Sequence, residues 1–400
     1  MFIYFDKYFC VPTRNRTRYL RVLIHELNRQ ITEAVNMSIA GSSLSTHLKV
    51  LRICGFCKLD RDGSVQLKLH EVYRLLILGY TFTYIVQEFI YAFLVRNDMD
   101  LLAQVMFLLL CHITSLAKQI IFHTRADDIA SMIRNFDDEL FNQSDEFSQS
   151  LMSQTAKIAT RLVKAFFSTA ILTCTLWIIF PVVDHYNGRY VEFSFWMGDF
   201  DQNQPIMFET YLVYSYVLTT LVGIANTTMD AFMSTILHQS QTQMKILRYV
   251  FAYWISNRWD RDYIIYYRKR NIFGIPILIQ FTIGGWILCM AAYRIVGLSV
   301  LSVEFASMVL FIFCILLELF LYCFYGNEAA FESQLLTNSI YKMNWLNTPL
   351  KFRKHLIFAM ERAKKPLKPA AGGIIPLSLE TYGKILKSSY TFYAVLRQTK

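Results

Sequence analysis

The last residues of the chain combine membrane-spanning length with polar side chains, a combination typical of helices that border a path for water or ions. Residues 377–397 exceed the roughly 20 residues that cross a bilayer. Helical residues three or four apart share a face, and one face here holds Lys384, Lys387, Ser388, Thr391, Val395 and Gln398. Polar groups inside a bilayer are costly unless they face a bundle interior or water. The pattern therefore predicts a water-filled path or a buried polar contact. The alternative is a pair of lysines that snorkel to the inner interface, with hydroxyls bonded to their own backbone.

Six more segments have the length and apolar character of membrane spans. The chain has 400 residues, of which 54% are hydrophobic, which is too apolar for an ordinary soluble protein of this size. Seven such segments in one chain make buried helices of a soluble core an improbable alternative. We predict an all-α integral membrane protein with seven transmembrane helices, at residues 72–95, 101–122, 163–183, 206–230, 273–293, 303–325 and 377–397.

Basic residues alternate between the two sides of these spans. Lys and Arg are concentrated in residues 1–71, 123–162, 238–272 and 326–376. The intervening loops hold one arginine each, Arg96, Arg189 and Arg294. Short loops rich in Lys and Arg remain cytoplasmic, so we expect a cytoplasmic N-terminus and an extracellular C-terminus. The net charge of +10 is explained by this topology, and no aromatic-basic or zinc-finger pattern indicates nucleic-acid binding.

Enzymes, metal sites and other seven-span proteins have weaker support. The eight histidines are dispersed, and Cys54 and Cys57 form a lone C-x-x-C without a second ligand pair. We therefore expect no enzymatic activity, no cofactor and no metal. A seven-helix G-protein-coupled receptor would have the opposite orientation, and a transporter would show internal repeats. The N-terminal sequence does not resemble a cleavable signal peptide, because its short apolar run precedes its basic residues.

Four regions follow from the span assignment. Residues 1–71 are predicted as a cytoplasmic segment with amphipathic helices at 19–31 and 47–56. Residues 72–325 form a six-helix bundle, 326–376 a cytoplasmic anchor loop with a short helix at about 350–364, and 377–400 the seventh helix, capped near Ser378. Apolar spacing predicts that the second and fourth spans continue into the cytoplasm as helices through residues 129–140 and 236–251.

Single ionisable residues inside spans have ordinary structural explanations. Glu88, Glu304 and Glu318 are expected to form interhelical hydrogen bonds or to reach an interface. Lys118 and Asp230 lie near inner span ends, from which their side chains are expected to snorkel.

Two C-terminal motifs closely resemble those of a known family. The run "KKPLKPAAGGIIPLSLETYGKILKSSYTFYAVLRQ" at 364–398 resembles the C-terminal signature of insect odorant receptors, and "YCFYGNEAAFES" at 322–333 resembles the end of their sixth span. Over the remaining chain the resemblance is one of topology. It implies a non-selective cation channel of four subunits in the plasma membrane of an olfactory neuron dendrite, gated by a small volatile odorant. In that family the seventh span lines the pore, so Val395 is similar to the hydrophobic gate residue, with Gln398 beside it and Thr399 one turn outward.

The resemblance also implies a ligand site and partners. The odorant would lie in the outer halves of spans two, three, four and six, which selects Met106, Thr173, Trp177, Tyr211, Tyr214, Phe305 and Met308. The loop 238–272 is short for the obligate co-receptor, so the resemblance favours a tuning subunit that forms a heterotetramer with that co-receptor among membrane lipids. A gustatory-type receptor subunit is the alternative, although Phe392, Arg397 and Thr399 depart from its terminal motif. Family members begin closer to their first span, which makes Met37 a candidate alternative start.

Overall fold

A computed structural model shows a bundle of long helices with a short hairpin before the last helix. The structure describes residues 38–57, 65–136, 142, 145–198, 204–253, 273–300, 302–342, 350–364 and 367–398. The predicted helix at 19–31 and Met37 lie outside these residues. The helices are α1 Ile39–Ile53, α2 Val65–Leu94, α3 Met99–Thr124, α4 Ala126–Phe136, α5 Glu146–Tyr186, α6 Pro205–Tyr253, α7 Gly274–Val296, α8 Val303–Lys342, α9 Leu350–Ala363 and α10 Leu379–Gln398. The strands are β1 Ala370–Ala371 and β2 Ile375–Pro376.

All seven predicted spans lie in helices. Within the described residues, α2, α3, α5, α6, α7 and α8 are long and apolar enough to cross a membrane. The seventh span corresponds to α10, whose 20 residues suffice in length although Glu380, Lys384 and Lys387 make it more polar than the others. The prediction of seven helices of membrane-spanning length is thus confirmed. Helix α10 is less apolar than the other six, as its sequence predicts.

Several helices begin or end at side-chain caps that the sequence supplies. Asp98 accepts hydrogen bonds from the backbone N–H groups of Asp100 and Leu101 at the start of α3. Asp145 accepts one from Ser148 at the start of α5. At the start of α10, the N–H of Thr381 donates to Ser378 Oγ at 3.2 Å, which confirms the cap expected there. These side chains satisfy backbone donors that have no partner within the helix.

Three helices continue beyond the bilayer-length segments, and only one of these extensions was predicted. Helix α6 runs on to Tyr253 as predicted, but α8 runs to Lys342 through residues expected to be a loop, and α5 begins at Glu146 rather than near residue 163. The early turns of α5 bury Met152, Thr155 and Ala159, and Thr155 Oγ1 lies 2.7 Å from Thr242 Oγ1 of α6. An amphipathic face packed on other helices holds these polar segments helical.

The prediction that the second span continues without a break is wrong. Helix α3 ends at Thr124, because Arg125 leaves the helical conformation with φ −108° and ψ 25°. A separate helix, α4, then begins with Asp127 and Asp128 in its first turn, where acidic side chains favour a helix N-terminus. The predicted apolar periodicity is present in α4, which buries Ile129 and Phe136. The predicted short helix at 350–364 is confirmed as α9.

A three-residue turn, residues 372–374, directs the chain into α10. Strands β1 and β2 pair antiparallel, and Gly372 and Gly373 between them have φ of 59° and 75°, which glycine adopts without steric cost. The Gly372 N–H also donates to the Gly274 carbonyl at 2.7 Å. This bond ties the turn to the first residue of α7 and fixes where α10 starts.

Candidate functional site

A cavity of about 100 Å³ lies between α2, α3, α5, α6, α8 and the extended residues 192–195. Aromatic side chains are the largest group in its wall, and the polar groups include carboxylates, hydroxyls and one amide. The lining residues on α2, α3 and α5 are Tyr84, Gln104, Phe107, Leu108, Cys174, Trp177, Ile178, Phe180 and Pro181. The remaining ones are Glu192, Phe193, Ser194, Phe195, Leu212, Ser215, Tyr216, Thr219, Glu304 and Met308.

Ring contacts between different helices shape this wall. The ring of Phe107 on α3 lies 5.4 Å from Trp177 on α5 and 5.5 Å from Phe311 on α8. These separations are typical of favourable aromatic pairs. Phe107 thus links three helices at the cavity, whose surface is mostly apolar.

The extended segment after α5 closes one side of the cavity. Val191, Phe193 and Phe195 are buried, and Glu192 between them is exposed. This alternation is the one that an extended segment with one buried face requires. The Trp196 N–H donates to the Gln87 carbonyl at 3.2 Å and anchors the segment to α2. Phe195 stacks on Tyr211 at 5.6 Å.

The structure distributes the seven predicted ligand residues between the cavity wall and the layer behind it. Trp177 and Met308 line the cavity. Tyr211 is buried against Phe193 and Phe195. The Tyr214 hydroxyl donates to Gln87 Oε1 at 2.8 Å. The other three, Met106, Thr173 and Phe305, lie outside the lining set.

The lining residues that sequence reasoning missed include residues of the first span and of the loop after the third, two regions from which no ligand contact was predicted. Tyr84 on α2 lies beside Phe195, with ring centroids 5.3 Å apart. The apolar-polar alternation of residues 191–195 was a readable signal for an extended buried segment. No comparable signal marks Tyr84 or Phe107, because their helices are apolar on several faces.

Glu304 places a carboxylate at the edge of the cavity. Arg294 near the end of α7 donates from Nη2 to Glu304 Oε1 at 2.7 Å, and both side chains are about one-fifth exposed. Glu304 also lies in the first turn of α8, where the helix dipole favours a negative charge. The expected interhelical bonds are confirmed for Glu304 and for Glu88, whose carboxylate oxygens both lie 2.9 Å from His112 Nδ1.

A second polar group, which we call the Lys118 cluster, lies inside the bundle. It consists of Lys118, Asn226, Asp230, Glu318 and Tyr322. The Lys118 ammonium donates to Asp230, to Asn226 Oδ1 at 3.1 Å and to Glu318 Oε1 at 3.3 Å. The Tyr322 hydroxyl donates to Asp230 Oδ1 at 2.6 Å.

The snorkelling predicted for Lys118 and Asp230 is therefore wrong. Both side chains are fully buried, and the interhelical bond expected of Glu318 is the one it makes to Lys118. An ammonium between two carboxylates is satisfied inside the bundle, and so it has no need to reach an interface. The cluster joins α3, α6 and α8 at one point.

Helix α10 is covered on one face only. Ser389 is buried and donates to the Gly285 carbonyl at 3.1 Å, and Phe392 stacks on Trp286 of α7 at 5.0 Å. The polar face is exposed in the single chain, at Lys384, Lys387, Ser388, Thr391 and Val395. The Gln398 side chain and Thr399 lie outside the described part of the chain.

Metal and redox chemistry find no support in the part of the chain that the structure describes. No group of three or more His, Cys, Asp or Glu side chains there could hold a metal ion. Burial raises the pKa of the Cys54 thiol to about 11, so this half of the C-x-x-C pair is a protonated, unreactive thiol at neutral pH.

Fold and site together define a multi-pass helical membrane protein, in which a cavity with aromatic walls and a partly uncovered terminal helix belong to one bundle. The profile of the 7tm odorant receptor family matches residues 98–253 and 266–390, and the chain belongs to this family. It is accordingly a multi-pass membrane protein of the odorant receptor family and not an enzyme.

Similar proteins and solved structures agree with this assignment. The chain is 35% identical to Odorant receptor 94a of Drosophila melanogaster over 122 residues, which are 30% of this chain and 32% of that protein. It is 30% identical to Odorant receptor Or2 of Anopheles gambiae over 124 residues, 30% of this chain and 32% of that one. The matched segment thus spans about a third of the length of these relatives.

The fold is similar to that of the olfactory receptor OR5 from Machilis hrabei, solved in complex with eugenol. The TM-score is 0.77 at 17% identity, covering 89% of this chain and 98% of that one. A second structure of the same receptor gives 0.76 with the same coverage. At this identity the likeness establishes the shared fold.

Proposed function

We propose that this chain is the odorant-recognising subunit of a non-selective cation channel in the plasma membrane, which it forms as a heterotetramer with the odorant co-receptor. A small volatile, hydrophobic odorant binds in the cavity and opens the channel. Membership of the odorant receptor family supports this function. The observation that carries the channel part is the uncovered polar face of α10.

The two faces of α10 have different chemistry. Ile385 and Leu386 pack against the hydrophobic core, while Lys384, Ser388 and Thr391 are exposed. Polar side chains at membrane depth need water or a protein partner. A central aqueous conduit bordered by the α10 helices of four subunits would supply both.

Val395 then acts as the gate on this face. It is apolar and 54% exposed, and a narrow ring of such side chains can close a pore by excluding water. By sequence spacing, Gln398 and Thr399 are expected to continue the same face outward, and Lys384 and Lys387 lie toward its other end.

The cavity of this chain suits a small volatile ligand. Aromatic and Met side chains supply dispersion contacts to a molecule with few polar atoms. The complex of the Machilis receptor with eugenol shows a small odorant on the same fold. The candidate contacts remain Met106, Thr173, Trp177, Tyr211, Tyr214, Phe305 and Met308, to which the cavity adds Tyr84, Phe107, Phe193 and Phe195.

We also propose the orientation that the basic residues predict, with the N-terminus in the cytoplasm and the C-terminus outside. Epitopes at each terminus of the full chain, stained on intact and on permeabilised cells, test it. A C-terminal epitope stained on intact cells supports the orientation. Staining of the N-terminal epitope on intact cells would overturn it.

The channel proposal is tested by current recordings. The full chain is expressed with a co-receptor, its surface level is measured, and membrane current is recorded during exposure to a panel of volatiles. We expect an inward cation current for a subset of the panel that is absent with the co-receptor alone. Normal surface expression without a current for any volatile would contradict the proposed function.

Cysteine substitution tests the pore position of Val395. Val395→Cys is compared with Val213→Cys on α6, since the two valines are similarly exposed in the single chain, at 54% and 59%. A charged, membrane-impermeant thiol reagent should alter the current through Val395→Cys and leave Val213→Cys unchanged, because only the first faces water. Equal responses of both variants would refute the assignment of α10 to the pore.

A further inference from the structure

We infer that the cavity selects small alcohols over carbonyl compounds and amines, and that the Glu304 carboxylate is the group that recognises the alcohol. The inference rests on the proposed function, because it names the ligand class of the same cavity. It follows from the position of Glu304, the charges of the lining residues and the size of the cavity.

Glu304 is an acceptor whose position is fixed. Its Oε1 accepts the Arg294 hydrogen bond at 2.7 Å, and an ionised carboxylate has capacity for several more hydrogen bonds. The carboxylate is paired with the Arg294 guanidinium and lies in the first turn of α8. An ionised carboxylate cannot donate, so the ligand group that meets Glu304 must be a donor.

The charge of the cavity wall disfavours ligands that only accept hydrogen bonds. The lining contains two carboxylates, Glu192 and Glu304, and among the lining residues that the structure describes there is no Lys, Arg or His. A carbonyl or ether oxygen placed against either carboxylate would be repelled, and the neutral donors of the wall, on Gln104, Ser215, Tyr216 and Thr219, offer it only the weaker bonds of uncharged groups. A hydroxyl group donates instead, and a hydrogen bond to an ionised acceptor is roughly twice as strong as one between neutral groups.

Arg294 also separates alcohols from amines. An alkylammonium ion near Glu304 would lie close to the Arg294 guanidinium, because one carboxylate group would then contact both cations. A neutral hydroxyl meets no such repulsion. Arg294 is thus a positioning residue, which holds the acceptor and sets the ligand charge.

The cavity limits the size of the ligand. Its volume is about 100 Å³, below the roughly 150 Å³ of an engineered cavity known to bind benzene. Aromatic rings from α3 and α5, including Phe107 and Trp177, border it. Compact alcohols with a small ring or short branched chain fit these limits.

The test uses cyclopentanol, cyclopentanone and cyclopentylamine, which share one ring and differ in the polar group. The full chain with a co-receptor should respond to cyclopentanol at about tenfold lower concentration than to the other two, which is the effect of about 1.4 kcal/mol. In Glu304→Gln the preference should fall to about threefold or less, because an amide both donates and accepts. The control is Glu209→Gln, an exposed position on α6 outside the cavity, which should keep the preference.

A binding measurement separates failure of this inference from failure of the channel proposal. A ligand that binds the folded state raises the melting temperature of the purified chain. If cyclopentanol raises it more than cyclopentanone, and the difference is lost in Glu304→Gln but kept in Glu209→Gln, the inference holds even where no current is recorded. No stabilisation by cyclopentanol, equal stabilisation by both ligands, a stronger effect of the amine, or an unchanged preference in Glu304→Gln would overturn it.

Discussion

The Lys118 cluster and the polar face of α10 both place charged side chains in membrane-length helices, but the surroundings of these side chains differ. In the Lys118 cluster, the side chains of Lys118, Asp230 and Glu318 are at most 3% exposed and bonded to one another across three helices. On α10, Lys384 and Lys387 are exposed, and Lys384 pairs with Glu380 one turn earlier at 2.6 Å. The first region is complete within one chain. The second needs water or another subunit.

The difference explains how one bundle combines a rigid body with a surface for assembly. Removing a partner from a buried ion pair leaves an uncompensated charge, which is far more costly than disrupting an exposed pair. The cluster therefore holds α3, α6 and α8 together, while side chains on the α10 face can change with little effect on folding of the single chain. The following predictions test this contrast.

The largest expected effect is that of Asp230→Asn. Lys118 loses its nearest carboxylate, and the Tyr322 hydroxyl loses its charged acceptor, so the free energy of unfolding should fall by about 3–5 kcal/mol. Surface biotinylation and thermal melting of the detergent-solubilised chain measure the loss. The control is Asp184→Asn, which breaks an exposed pair with Arg189 and should cost less than about 1 kcal/mol. Equal losses in the two variants would contradict the contrast.

His47 on α1 tests a buried group that is tolerated because it is neutral. Its Nε2 lies 3.2 Å from Thr235 Oγ1, and burial lowers its pKa to about 4. In the unfolded chain His47 binds a proton near pH 6.5, whereas in the folded chain it stays neutral down to about pH 4. The free energy of unfolding is therefore unaffected above about pH 6.5 and falls by about 3 kcal/mol in all as the pH falls from about 6.5 to about 4. His47→Gln should remove this part of the pH dependence in melting experiments between pH 7.5 and 4.5. The same pH slope in both proteins would refute it.

Gly326 tests how α10 is positioned. A Cβ at Gly326 on α8 would clash with the Leu377 side chain and approach the Leu377 carbonyl oxygen to 3.0 Å. Gly326→Ala should therefore destabilise the chain by about 1–3 kcal/mol. Gly383→Ala on the exposed face of α10 meets no atom within 4 Å and should stabilise the solubilised single chain by up to about 1 kcal/mol. Thermal melting compares the two, and a stable Gly326→Ala variant would contradict the close packing.

The sequence alone predicted which segments form membrane-length helices, but it did not predict how far α5 and α8 extend beyond those segments. Apolar runs of bilayer length located all seven spans because the bilayer requires them. The first turns of α5 and the last turns of α8 are polar, and they are helical because they pack on neighbouring helices. Glu332 of α8, for example, forms an ion pair with Arg248 of α6 at 3.0 Å. Hydropathy carries no information about such neighbours.

The candidate site shows the same limit. The resemblance and the direction of each span selected seven candidate residues, of which Trp177 and Met308 line the cavity. The Lys118 cluster could not be foreseen, since its members lie on three separate helices and Lys118 and Asp230 looked like isolated charges near an interface. The partner of a charge in a helical bundle depends on which helices are adjacent, and one sequence does not specify that.

The smallest expected change in stability accompanies a change in function at Lys384. Lys384→Gln breaks only an exposed pair four residues apart, which should alter the free energy of unfolding by less than about 0.5 kcal/mol. If α10 borders the conduit, removing this cation lowers the electrostatic barrier to permeant cations, and single-channel conductance should rise by about twofold at low salt and less at high salt. The control is Lys364→Gln, which breaks a similarly exposed pair with Glu361 just after α9. A conductance change of equal size at Lys364, or none at Lys384, would show that the polar face of α10 lies away from the ion path.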